Sequence, residues 1–289
     1  MSLLTRQLLA QLDQIQIASR RRMRLQHRGE KSSQRKGSSL EFSDYREYLQ
    51  GDDVRSIDWS IYGRMERLYL KLFLEEESKP VSFIVDASES MSFGSPSKFQ
   101  YALSLAAALS YVALRHYDRP QIILLRDQSF RRFGFGSQKQ FFSMLNYLDQ
   151  QTPSGETHLN AALKKIALAR FKRGIYFLFS DFYSYDGFEG LKLLSSAGNE
   201  LHCLQILTDE EVHPSLRGDL KLRDAEMADS AEVSISPQIV KRYLARLRAL
   251  QSDIKRTAHL SFASYQTILT SLPLSSLLLR DLRRSGVVV

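Results

Sequence analysis

The chain has one cysteine in 289 residues, so no disulfide can form within it. Cys203 lies in the apolar run Leu201–Leu207 and reads as a small core side chain, a composition that suits a reducing, cytoplasmic setting. No long hydrophobic run is present. Residues Tyr101–Leu114 are rich in alanine and leucine but too short to span a bilayer, and they contain serines. The leucines of MSLLTRQLLAQLDQIQIASRRRMR are interrupted by charge and glutamine, which fails the signal-peptide pattern. Repeats and low-complexity tracts are also missing. Nor is there a Gly-x-x-x-x-Gly-Lys-Ser/Thr loop, a His-Glu-x-x-His pair or a Gly-x-Ser-x-Gly elbow, which argues against a P-loop ATPase, a zinc hydrolase and an α/β-hydrolase. No catalytic motif is found, and the chain is not expected to be an enzyme.

What charge there is lies unevenly. Residues 1–36 carry nine cations against Asp13 and Glu30, a local +7 that accounts for most of the formal +8. Such a leader can meet an acidic protein, nucleic acid or anionic membrane, or it can be a solvated arm. No aromatic residues interleave with the cations, so nucleic acid is not the expected partner.

Leu4, Leu8, Leu12 and Ile15 predict an amphipathic helix over residues 3–24, followed by a polar linker, HRGEKSSQRKGSSLEF. Glu41–Glu75 is dense in aromatics and charge pairs without helical period, and predicts short strands and turns. From residue 80 apolar runs alternate with helical patterns. Strands are expected at Val81–Val85, Gln121–Arg126, Ser129–Phe133, Ile175–Phe179 and Leu201–Leu207, with helices at Lys98–His116, Gln138–Gln150, His158–Phe171 and Phe188–Ala197. The tail predicts a strand pair near Leu220–Ile235, a helix over Pro237–Thr257, a strand at Leu260–Ala263 and a helix near Leu274–Arg284. This is an α/β chain with a doubly wound, mostly parallel sheet. The expected division is an N-terminal basic helix, linker and arm over 1–78, and the α/β domain with its C-terminal extension over 79–289.

The sharpest motif is Asp86-Ala87-Ser88-Glu89-Ser90, directly after a buried strand. Ligands of open α/β sheets collect at the carboxyl ends of strands. A carboxylate and two hydroxyls there form a hard-oxygen set suited to Mg²⁺ or Mn²⁺. Gly155-Glu156-Thr157 precedes a helix, and Asp181 ends the strand Ile175–Phe179, so three loops offer oxygen on one sheet edge. Aspartate and serine also serve as turn formers and helix caps, so the first motif alone decides little.

Together, Asp86-Ala-Ser88-Glu-Ser90, Gly155-Glu-Thr157 and Ser180-Asp181 resemble the metal-ion-dependent adhesion site of von Willebrand factor A domains, a Rossmann-type fold. The resemblance implies a divalent cation on Asp86, Ser88, Ser90, Thr157 and Asp181, with a partner's acidic side chain in the open position. A second likeness runs through Gly37–Phe42, Tyr45–Tyr48, Gly51-Asp52-Asp53-Val54-Arg55-Ser56-Ile57-Asp58-Trp59, Lys71–Phe73, Glu75–Glu77, Arg217–Asp219 and Asp224–Glu226. These stretches are similar to the bacterial domain-of-unknown-function 58 proteins, which carry a von Willebrand A-like domain and are typically encoded beside a MoxR-type AAA+ ATPase. The implied role is a metal-dependent adaptor working with such an ATPase in assembly, remodelling or maturation of other proteins. The alternative is a metal-dependent hydrolase or phosphatase in which Glu89 or Glu156 assists a bound water. Arg46, Asp52, Asp53, Arg55, Asp58 and Trp59 form either a partner-docking surface or a structural clasp of Asp–Arg pairs, with Trp59 as a core anchor.

Overall fold

The computed structural model describes residues 4–18, 41–74, 80–116, 118–156, 158–169, 171–184, 186–214, 218–223 and 230–289. The basic residues 20–36, Glu75–Glu77, Thr157, Arg217 and Asp224–Glu226 lie outside them. In chain order the elements are α1 (Arg6–Leu12), β1 (Glu41–Glu47), α2 (Trp59–Met65), β2 (Tyr69–Leu74), β3 (Pro80–Asp86) and α3 (Lys98–Arg115). Then follow β4 (Arg119–Arg126), β5 (Ser129–Gly134), α4 (Gln138–Leu148), α5 (Leu159–Leu168), β6 (Ile175–Ser180), α6 (Glu189–Ser196) and β7 (Glu200–Leu207). The tail has α7 (Asp209–Val212), β8 (Gly218–Arg223), β9 (Ser230–Ile235), α8 (Pro237–Leu260) and β10 (Ser264–Leu269). Two compact units result: residues 1–20 with 79–289, and residues 21–78.

The larger unit is built on a six-stranded sheet of order β10-β7-β6-β3-β4-β5, parallel except for the antiparallel edge strand β5. Period-two geometry sends successive side chains to opposite faces. Phe83, Val85, Phe177 and Phe179 join one core with Leu12, Phe99, Leu109 and Phe141. Ile84, Tyr176 and Leu178 join the other with Leu159, Leu163, Leu191 and Ile254. Helices thus cover both faces, which is why the strands read as continuous apolar runs. The chain runs from β3 outward to β4, then returns to place β6 on the other side of β3. The carboxyl ends of β3 and β6 therefore flank the point where strand order reverses, the place where such sheets open a crevice.

Three expected elements take another form. The N-terminal helix spans only Arg6–Leu12. Ile15 and Ile17 then alternate into the core, and Ile17 bridges Val288, a strand-like pairing that a helix to residue 24 would forbid. The strand expected at Leu260–Ala263 starts at Ser264, because α8 winds on to Leu260. The Ala263 amide closes that helix on the Ala258 carbonyl (2.9 Å), with Phe262 in the left-handed region. The last helix is three short segments, Leu274–Ser276, a π-helical Leu277–Asp281 and Leu282–Arg284. Among the described residues no helix is long and apolar enough to cross a membrane.

In the smaller unit β1 pairs antiparallel with β2, with a bulge between Phe42 and Asp44. A 3₁₀ turn, Val54–Ser56, and α2 fill the connection.

Candidate metal centre

Asp86 is the last residue of β3, and the Val85–Phe179 register brings Ser180 of β6 beside it. The Ser180 hydroxyl donates to Asp86 Oδ2 at 2.6 Å and the Ser88 amide to Oδ1 at 3.0 Å. These bonds fix a carboxylate that is 3% exposed. Ser88 heads the 3₁₀ turn Glu89–Ser92, yet its hydroxyl does not cap that turn. It lies 3.1 Å from Ser90 Oγ instead. The two serine oxygens are thus gathered beside the acid rather than consumed by the helix start.

The second loop is tied to the first by backbone. Ser154 N–H donates to Ala87 O (2.8 Å), and Glu89 N–H donates to Gly155 O (2.9 Å). Gly155 has φ +83°, a conformation that favours glycine, and a Cβ there would stand 2.0 Å from an Asp127 carboxylate oxygen that would have to swing aside. Thr157 is not described, but its neighbours Glu156 and His158 share with Asp86 and Asp127 the lining of a cavity of about 10 Å³. That is near the space one water or ion occupies.

The third loop carries Asp181, fully buried. Its Oδ1 accepts the Tyr183 amide (3.0 Å), and its carbonyl accepts Gln205 Nε2 (2.9 Å). Its Oδ2 accepts Lys98 Nζ at 2.7 Å. The same ammonium donates to Glu211 Oε1 at 2.8 Å and lies 4.9 Å from the Tyr183 ring centre. Glu211 is held in turn by a capping box, its Oε2 accepting the Thr208 amide at 2.7 Å.

Sequence reasoning names Asp181 but misses Lys98 and Glu211. A signal for Lys98 exists: it is the first residue of an apolar helix, where the helix dipole disfavours a cation. A buried lysine at that position needs anionic partners from elsewhere.

The electrostatics follow from burial. Desolvation, then the charge of Asp181, pushes the Asp86 carboxyl up to about 6. Burial pulls the Lys98 ammonium toward neutrality, but Asp181 and Glu211 outweigh it and hold the group above its ordinary value. Asp86, Asp181 and Glu211 carry three negative charges against the one positive charge of Lys98, leaving two unbalanced. Among the described residues no three His, Cys, Asp or Glu side chains converge as a metal cluster. The donors on offer are carboxylate and hydroxyl oxygens, which fit a hard divalent cation in chemistry and in missing charge. The structure brings Asp86, Ser88 and Ser90 together, with Asp181 adjacent and already engaged by Lys98.

The arm residues of the smaller unit are spent locally. Arg46 Nη2 bonds Asp52 Oδ1 (2.8 Å), and Asp52 Oδ2 accepts the Leu49 amide (2.8 Å). Asp53 caps the Val54–Ser56 turn through the Arg55 amide. Asp58 caps α2 through the Ser60 amide and pairs with Lys71 Nζ at 3.1 Å and Tyr45 Oη at 3.1 Å. Among the described residues the Arg55 side chain makes no ion pair, because Asp53 already serves its own turn. Trp59 is no core anchor: it is 62% exposed, edge-on to half-exposed Tyr62.

Cys203 is buried as expected, and desolvation pushes its thiol up to about 12. A larger cavity, about 450 Å³, lies away from these residues, along Gln266–Leu269 and the turn after it.

Comparison with known proteins finds a match to the family described as "Protein of unknown function DUF58" over residues 44–253. Uncharacterized proteins of Mycobacterium bovis and Mycobacterium tuberculosis are 25% identical over 227 residues, covering 76% of this chain and 72% of theirs. Among solved structures, a conserved hypothetical protein, BatB, of Bacteroides thetaiotaomicron aligns with 12% identity and a TM-score of 0.45, covering 72% of this chain and 98% of its own. An aerotolerance-related membrane protein of Bacteroides fragilis aligns over the same shares with 14% identity and a TM-score of 0.45. At these scores the structural likeness carries no functional inference.

Proposed function

The chain belongs to the DUF58 family of proteins of unknown function, and from that membership we propose that it is a metal-dependent protein-interaction module with a von Willebrand factor A-like sheet. The observation that carries the reading is the site at the strand-order reversal. There a buried Asp86 meets the hydroxyl of Ser88, which caps nothing, and that of Ser90, and with Asp181, Glu211 and Lys98 it leaves two negative charges unbalanced. Asp86, Ser88 and Ser90 would hold Mg²⁺ or Mn²⁺, with Asp181 behind them; Thr157, the fifth expected ligand, lies outside the described residues.

The residues of the chain do the positioning. Ser180 and the Ser88 amide fix the two oxygens of Asp86. The backbone of Ser154 and Gly155 locks the loops together. Bound there, the cation supplies an open coordination position for a carboxylate of the partner. That chemistry calls for a partner presenting an exposed Glu or Asp, and the family resemblance makes a MoxR-type AAA+ ATPase the first to try. A pull-down with such an ATPase is expected to succeed with Mg²⁺ and fail with EDTA or with Asp86→Ala. Capture unchanged by both rejects the metal bridge.

One observation keeps a hydrolytic reading in view: Glu156 Oε2 lies 3.2 Å from His158 Nε2 at the small cavity. A substrate screen with Mn²⁺ tests it, and turnover that disappears in Asp86→Ala would favour it.

A further inference from the structure

Among the described residues Lys98 is the one buried lysine or arginine beside this site, and the adaptor reading gives it no task. It is 1% exposed and enters from the first turn of α3. Its two anions stand on different loops, Asp181 after β6 and Glu211 after β7. A lysine this deep costs desolvation at every hour the protein is folded, and an apolar residue would pack there more cheaply.

Both oxygens of Asp181 are engaged, Oδ2 by the Lys98 ammonium and Oδ1 by the Tyr183 amide. The carboxylate is thereby turned to face Lys98. The ammonium also cancels one of the three negative charges that would attract a dication. Glu211 acts oppositely, since it shares the ammonium with Asp181 and adds a negative charge of its own. Its other oxygen is fixed by Thr208, so it cannot swing away.

We infer that Lys98 is a positioning residue that pins Asp181 away from the cation and sets the metal affinity of the site, with Glu211 as its counterweight. The inference rests on the reading of Asp86, Ser88 and Ser90 as a metal centre. Loss of Lys98 frees Asp181 and deepens the negative charge, so affinity rises. Loss of the Glu211 charge leaves the ammonium wholly to Asp181 and makes the site less negative, so affinity falls. A purely structural ion-pair triad behaves differently: breaking it from either side loosens the site and lowers affinity both times.

The test is Mn²⁺ alone titrated into the full chain and its variants, read by the electron paramagnetic resonance of free Mn²⁺ and by calorimetry. Lys98→Met is expected to bind at least about tenfold tighter than wild type, and Glu211→Gln several-fold weaker. Gln retains the capping-box acceptor, so the α7 turn survives that change. Should Lys98→Met not fold without metal, Lys98→Gln keeps an N–H donor for Asp181 while losing the charge. Its Tm is then expected to rise more with Mn²⁺ than that of wild type. Wild type that binds Mn²⁺ while the Lys98 variants bind equally or more weakly overturns the role of Lys98 and leaves the metal centre standing. No saturable Mn²⁺ binding by any form overturns both.

Discussion

Two groups of aspartates in this molecule sit at turns, and they are used in opposite ways. In the smaller unit Asp52, Asp53 and Asp58 each accept a nearby amide, and Asp52 and Asp58 also pair with a cation. The charges of Asp52 and Asp58 are balanced on the spot, and Arg46 and Lys71 hold both carboxyls below their ordinary range. In the larger unit Asp86 also accepts an amide and a hydroxyl, but it is buried beside a second acid, and its carboxyl moves up instead. Asp52 and Asp58 are lowered by their partners. The buried Asp86 carboxylate carries a desolvation cost that its hydrogen bonds do not repay.

The widest gap between the two groups should appear on replacing carboxylate by amide. With metal removed, Asp86→Asn is expected to stabilise the protein at pH 7.5 by on the order of 2–3 kcal/mol in urea unfolding. The sign follows from proton count. An unfolded Asp86 loses its proton near pH 3.8 and the folded one near pH 6, so the folded state holds more protons between these values. Wild-type stability therefore falls as pH rises through that window, and Asp86→Asn removes that fall. A loss of stability at neutral pH in this variant would erase the contrast.

A smaller effect is expected at the loop junction. Gly155→Ala drives a Cβ into the Asp127 carboxylate at a positive φ, for a loss of about 1–3 kcal/mol. Mn²⁺ affinity should fall with it, since Gly155 O holds the Glu89 amide. A loss of stability without a loss of metal affinity would show that the two loops act separately.

Asp52→Asn should lower Tm by a few degrees at most. The contribution of this carboxylate is present above its unfolded value of 3.8 and fades as pH falls through its lower folded value. The Tm difference between wild type and variant should therefore shrink toward acid pH and in high salt. The smallest change belongs to Trp59→Ala, whose exposed ring predicts a shift within about 0.5 kcal/mol. Weaker capture of the proposed ATPase partner by this otherwise stable variant would mark the arm as a docking surface. Capture at wild-type strength would leave the ring without that role.

Much of this was legible in the chain. The sheet strands announce themselves as apolar runs because both faces are covered, and the loops at their ends can be read once the strands are placed. Asp86, Ser88 and Ser90 are neighbours in sequence, so their meeting was nearly assured. Lys98 was not legible in the same way. Its partners lie 83 and 113 residues away, and only its misplaced charge at a helix start hinted at them. The turn at 261–263 escaped because Phe262, not glycine, takes the left-handed position that ends α8. The outward face of Trp59 escaped because residue type gives the burial of an aromatic only on average.

The most direct measurement is the stoichiometry of Mn²⁺ on metal-free protein at neutral pH, for wild type and for Ser88→Ala/Ser90→Ala. One ion per wild-type chain, with binding weakened by at least tenfold in the double variant, is the expected result. Equal binding in the two proteins would contradict it, because no cation held elsewhere depends on those two hydroxyls.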